Sequence, residues 1–220
     1  MTSTEDLVQD EDASIEKLVH DVAVYQCVGI QITNNTRSVT LGNPRSYCYS
    51  GWAKNEPVPQ ITPGSSKSCV FVKTSGTARG SVGVLSYESD TFTLAIMFSS
   101  PYDRNLYSSE FAIQIFTGRK HFDNMEHLYH YMYSHDPPYN CKSFQKMMLT
   151  HGKDGELEVT NEKIQVKATM SKEYKSIIKV QIKEKNPCSC PCPCPNVILK
   201  SCVSCLFCNL RNNSCCHTKT

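Results

Sequence analysis

Between Val28 and Ile182 the apolar residues recur mainly at every second position, in short segments separated by turn formers, and this period commits the chain to β-sheet. A period of two puts successive side chains on opposite faces of a strand, so Val28, Ile30 and Ile32 line one face together. The pairs and triplets Asn34-Asn35, Gly42-Asn43-Pro44 and Pro63-Gly64 read as the turns between strands. Further strand segments follow at Cys69 to Val72, Val82 to Leu85, Phe92 to Phe98 and Phe111 to Phe116, then through Leu157, Val159, Ile164, Val166 and Ala168, and finally Ile177 to Ile182.

Two segments change period. Ile15, Leu18, Val19 and Val22 fall at i, i+3, i+4 and i+7, one apolar helical stripe with Ser14 placed to cap it. Asn124 to His135 has helical composition, with Met125, Leu128 and Met132 on one side. The expected fold class is therefore mainly β: a β-sandwich flanked by two α-helices, followed by an extended Cys/Pro-rich C-terminal tail. A chain of 220 residues has room for one sizeable core, which divides it into an acidic tail over 1–13, one domain over 14–185 and the Cys-rich tail over 186–220.

Charge and hydropathy exclude several function classes. A formal net charge of +2 offers no dense basic face for nucleic acid. No apolar run approaches the roughly 20 residues of a membrane span, so the chain reads as soluble, with membrane contact left to an amphipathic element or to the surface. Glu5, Asp6, Asp10, Glu11 and Asp12 stand where a signal peptide needs a basic and then an apolar region, and classical secretion is not expected. Neither a nucleophile elbow, a P-loop nor an HExxH motif is present, so the reading is of a non-enzyme without cofactor or metal.

Cysteine usage separates the body from the tail. Cys27, Cys48, Cys69 and Cys141 sit in apolar surroundings and read as buried thiols, a Cys48–Cys69 disulfide being the alternative for an extracellular protein. Nine more cysteines crowd between Cys188 and Cys216. There Cys202, Cys205 and Cys208, with Cys215, Cys216 and His217, admit a thiophilic ion, S-acylation, or an unconstrained tail, and the absence of paired CxxC knuckles favours the last.

The densest functional signal is the turn Pro101-Tyr102-Asp103-Arg104-Asn105-Leu106-Tyr107-Ser108, directly after the apolar strand Leu94 to Phe98. Pro101 cannot donate to a ladder and Asx side chains bond their own backbone, so the strand stops here and its aromatic rings face outward. Tyrosine suits the water–lipid boundary, and its ring face attracts quaternary ammonium groups.

The ordered stretch Gly80-Ser81-Val82-Gly83-Val84-Leu85-Ser86-Tyr87, then Leu94 to Phe98, then Ser99-Ser100-Pro101-Tyr102-Asp103, resembles the actinoporins and their vertebrate actinoporin-like relatives. Tyr47-Cys48-Tyr49-Ser50-Gly51, Pro57 to Pro63 and Leu128 to Tyr133 fit the same pattern, and the resemblance spans roughly Val22 to Ile182. It implies pore-forming cytolysins and lipid binders on an actinoporin-like β-sandwich. The implied phosphocholine pocket maps to Ser50, Val82, Ser99, Pro101, Tyr107, Tyr129 and Tyr133, with Tyr102, Arg104 and Leu106 as membrane contacts. Arg104 stands where the family has an aromatic, and is expected to meet lipid phosphate. Leu106 and Glu110 replace tryptophans, Ser134 a tyrosine and Gln26 a basic residue, departures that weaken the expected membrane grip and put sphingomyelin specificity in question.

The implied partners are sphingomyelin or other phosphocholine lipids, and further copies of the chain in a membrane oligomer. The implied pore element is the helix carrying Ile15, Leu18, Val19 and Val22. Ser14 to Cys27 alone is too short to cross a bilayer, so a span has to recruit Leu7, Val8 and the acids Asp10, Glu11 and Asp12, which a water-filled, cation-preferring lumen would accommodate. Two alternatives stand beside this: a helix permanently docked on its own domain, and a non-lytic lipid- or glycan-binding module, since a related sandwich occurs in fungal lectins.

Overall fold

The computed structural model describes residues 14–149 and 154–185. The acidic segment 1–13 and the Cys-rich tail 186–220, with every reading made of them, lie outside the described residues.

Alternation delivers two sheets. The first is built from β10 (Gly155–Thr160), β11 (Ile164–Met170), β12 (Lys175–Glu184), β1 (Cys27–Asn35), β5 (Ser66–Val72) and β3 (Trp52–Asn55), in that spatial order. The second runs β4 (Gln60–Ile61), β2 (Leu41–Ser50), β6 (Ser81–Glu88), β7 (Phe92–Ser100), β8 (Glu110–Thr117), β9 (Phe144–Met148). All pairings are antiparallel except β1 with β12. The core lies between the sheets, with Val28, Ile30 and Ile32 meeting Leu85, Ile96, Phe98 and Ile113.

Strands β6 and β7 are buried on both faces, which explains their near-continuous apolar runs. Their outer face carries Val82, Val84, Ala95 and Met97 and is covered by helix α2 (Met125–Ser134) through Met125, Leu128, Tyr129 and Met132. Helix α1 (Ile15–His20) covers the outer face of the other sheet, with Ile15, Val19 and Val22 against Cys27, Val70 and Val72.

Gly29 on β1 makes that approach feasible: a Cβ there would lie 2.4 Å from Val19 Cγ2 and 2.8 Å from Ile15 Cδ1. The helix is shorter than its stripe. It ends at His20, Val22 is buried just beyond it, and Leu18 is only partly buried.

Three expectations are corrected. Gly42-Asn43-Pro44 is no turn between strands but a bulge inside β2, where the register slips between Gly42 and Arg45 and Asn43 adopts φ 48°. A bulge accepts a proline because the extra residue leaves the ladder anyway. Asn34-Asn35 likewise belongs to β1, and Asn34 is buried with its side chain donating to Val39 O and Ile61 O. Of the four body cysteines, all free, Cys27 and Cys69 are buried but Cys48 is half-buried and Cys141 exposed. Burial pushes the Cys27 and Cys48 thiols up to about 11, so both stay protonated at neutral pH.

Candidate head-group site

The site is assembled where α2 crosses the β7–β8 turn. Cross-strand register places Ser50 opposite Val82, Val82 opposite Ser99 and Ser99 opposite Glu110, a row across β2, β6, β7 and β8. Directly opposed residues share a face, and Val82 packs in the cluster under α2, so this row is the floor beneath the helix.

Helix α2 supplies the rings. Asn124 caps it, its Oδ1 accepting the His127 N–H at 3.0 Å. Tyr129 and Tyr133, four residues apart, then fall on one side of the helix and stack with centroids 5.6 Å apart. Tyr49 from β2 stacks on the other side of Tyr129 at 5.3 Å, and Tyr47 lies 6.0 Å from it. Tyr47 and Tyr49 alternate with Cys48, which points into the main core, and this alternation was the sequence signal that could have marked both as site residues.

Tyr129 is 3% exposed, whereas Tyr49, Tyr133 and Tyr107 are exposed by 57%, 42% and 63%. One buried ring is thus sandwiched between two that meet solvent. Burial raises the Tyr133 hydroxyl pKa, and Glu110, Tyr49 and Tyr107 add to the shift, so Tyr107 is within electrostatic reach of the stack.

The β7–β8 turn is held from below. Asp103 Oδ1 accepts from the Asn105 and Leu106 N–H groups, the expected Asx turn. Gln26, fully buried just before β1, donates to Ser100 O at 2.9 Å, Ser100 Oγ at 3.1 Å and Pro101 O at 2.6 Å. Its role is thus to pin the turn, one that sequence reading did not assign. Gly80 packs beneath: a Cβ there would sit 2.0 Å from Ser100 O and 2.8 Å from Pro101 Cα. Ser50 Oγ donates to Gly80 O at 2.8 Å, so its proton is already committed to the protein.

The residues expected to contact a membrane divide. Leu106 is 74% exposed, and Tyr102 is exposed under the Lys73 ammonium at 4.9 Å. Arg104 does not stand free for lipid phosphate. Its guanidinium donates to Lys172 O, to Glu173 O at 2.7 Å and to Ser100 Oγ at 3.2 Å, and lies 4.2 Å from the Tyr174 ring centroid. Two backbone carbonyls and a hydroxyl engage both terminal nitrogens of the guanidinium and hold it against the protein. Glu110 is also no rim residue: it is buried on β8 and 4.0 Å from Lys146 Nζ. A cleft of about 400 Å³, lined by Thr91, Thr117, Lys142, Ser143 and Thr160 among others, opens at the opposite end of β7, and none of the expected site residues lines it.

The family model of the sea anemone cytotoxic protein matches residues 19–181. The chain belongs to this family. Among similar proteins, DELTA-actitoxin-Aas1a of Anthopleura asiatica is 45% identical over 129 residues, covering 57% of each chain. DELTA-alicitoxin-Pse1b of Phyllodiscus semoni is 44% identical over 79 residues, 36% of this chain and 33% of that one. Hydra actinoporin-like toxin 5 of Hydra vulgaris is 38% identical over 68 residues, 31% of this chain and 37% of the toxin. The matches to these three thus span between a third and three-fifths of each relative's length. The solved structure of Nakanori, described as a lipid binding protein, superposes with a TM-score of 0.57 over 78% of this chain and 76% of that one, at 15% identity. That likeness shows the actinoporin-like sandwich fold. Among the described residues no helix is long and apolar enough to cross a membrane.

Proposed function

We propose that this protein binds phosphocholine head groups, sphingomyelin among them, in the tyrosine cage at the Pro101 end, and that bound copies assemble and open a cation-permeable pore through the N-terminal segment. The observation that carries the reading is the stack Tyr49–Tyr129–Tyr133, with two of its rings exposed, above the floor of Ser50, Val82 and Ser99. The outward faces of Tyr49 and Tyr133, with the exposed Tyr107 ring, offer π surface that suits a quaternary ammonium, at roughly 0.5 to 2 kcal/mol for each face. Tyr107, Tyr102 and Leu106 stand out beside it where a bilayer interface would receive them.

The docked helix is the energetic obstacle to permeation. Releasing α1 exposes Ile15, Val19 and Val22, at roughly 1.5 to 3 kcal/mol each, which bilayer hydrocarbon would restore. The runner-up, a non-lytic binder, draws its support from that same docking, since a helix of six residues seated on the sheet serves a stable domain equally well.

Vesicles containing sphingomyelin and an entrapped dye separate these readings. Tyr107→Ala combined with Tyr133→Ala should weaken vesicle binding by one to two orders of magnitude, because two π faces are lost and neither ring closes the core. Undiminished binding would remove the cage. Deleting residues 1–22 should leave binding and abolish dye release. Dye release by the shortened chain would rule out the N-terminal segment as the pore element, and binding without release by the full chain would favour the non-lytic module.

A further inference from the structure

The floor of the site does not end at Ser99. Its next member across the sheet is Glu110, and the one after that is Met148 on the exposed edge strand β9. A carboxylate is therefore built into the same face, under the same helix, as the residues that would cradle a head group. Glu110 is 8% exposed, and the only cation that the described residues place beside it is Lys146 Nζ, at 4.0 Å. That ammonium is spent elsewhere: it donates to Tyr133 O at 2.6 Å and to Asp136 Oδ1 at 3.1 Å. Two carboxylates thus share one ammonium, and the cluster carries one negative charge in excess.

We infer that Glu110 supplies the counter-charge for the ammonium of a choline head group and is a specificity-determining residue of this site. The inference rests on the head-group reading above. This chain places a fixed anion beside the tyrosine stack. The ammonium end of a zwitterionic phosphocholine entering beside Tyr133 would pair with the excess charge, whereas a head group without a cationic end would not. Charge balance inside a low-dielectric site discriminates partners more sharply than ring contacts do, because an unpaired buried charge is strongly disfavoured.

The other groups that face Glu110 are consistent with this. Desolvation raises its pKa, Lys146 opposes the rise and Asp136 reinforces it. Its field reaches the hydroxyls of Tyr129 and Tyr133 on α2 and of Tyr139, and raises each. Tyr49 and Tyr107 face the same Tyr133. As pH falls through the raised Glu110 value the carboxyl becomes neutral and the counter-charge disappears, so binding weakens from a higher pH than an ordinary glutamate would allow.

The full chain is tested on sphingomyelin vesicles, with free choline and free phosphocholine as competitors. Glu110→Gln should lower vesicle affinity about tenfold, make choline a poor competitor and flatten the pH profile of binding between about pH 4 and 7. Lys146→Met, followed over the same pH series, should instead tighten choline competition at the alkaline end, because it frees the anion. A merely structural ion pair would make both variants weaker binders and leave the pH profile unmoved. The inference is overturned by that pattern, or by Glu110→Gln binding and titrating like the parent. If the Tyr107, Tyr133 double variant still binds, the cage fails and takes the inference with it. If only the Glu110 variant behaves as the parent does, the cage stands and the inference alone falls.

Discussion

The two helices do the same covering job on opposite faces of the sandwich, but they are attached very differently. Helix α2 buries four side chains against both double-buried strands, one of them an aromatic that is itself part of the site, so the seat of the helix and the cage are one structure. Helix α1 buries Ile15 and Val19, is followed closely by the buried Val22, touches the sheet over a glycine, and shares none of its buried residues with the site. Its end is tied by Lys175 Nζ, which donates to His20 O at 2.8 Å and Val22 O at 2.7 Å. The proposed recognition site thus sits on the helix with more buried side chains, and the proposed pore element on the helix with fewer.

The most damaging test of this contrast is Met132→Ala. Met132 is fully buried under α2, and its truncation should cost about 2 to 5 kcal/mol and carry vesicle binding away with it, because the tyrosines lose their platform. Denaturant midpoints and vesicle sedimentation on the same preparation decide it, and full binding by a destabilised variant would show that cage and seat are separable. A smaller effect is expected from Gly29→Ala, whose new methyl must displace Val19 and Ile15. Stability should fall by about 1 to 3 kcal/mol with head-group binding unchanged. Dye release should become faster, since the docked state of α1 has been made less favourable. A loss of binding here would mean that the two faces communicate. The smallest difference lies in the caps. Both caps are exposed; Asn124→Ala removes a 3.0 Å bond and should cost about 1 kcal/mol, while Ser14→Ala removes a longer 3.3 Å bond on a helix of only six residues and should cost about half as much. Thermal melts that rank the caps in the reverse order would contradict the view of α1 as the looser attachment.

Much of this was legible in advance. The period of two in Val28, Ile30 and Ile32 and the short apolar runs of β6 and β7 announced strands of a sandwich, and the burial of those two strands on both faces explains afterwards why their runs are uninterrupted. The spacing of Met125, Leu128 and Met132 placed α2 to within a residue at each end. The short strands β3, β4 and β9 were missed because a strand that buries few side chains has little pattern to show, and the longer β2 was missed because its bulge at Asn43 breaks the alternation and leaves most of its side chains only half-buried.

Local sequence by itself determined the strongly periodic strands, both helices, where the Pro101 turn falls and that tyrosines crowd near it, because backbone period, proline and Asx chemistry act over a few residues. Tertiary structure alone decided what those groups do. Arg104 read as a lipid contact until two carbonyls from the β11–β12 connection claimed it. Gln26 gained its role from a turn 74 residues away. Glu110 became part of the site floor only through register across four strands. Charge pairing and register join residues that are distant along the chain, so their partners are set by how the sheets align and not by any neighbour in sequence.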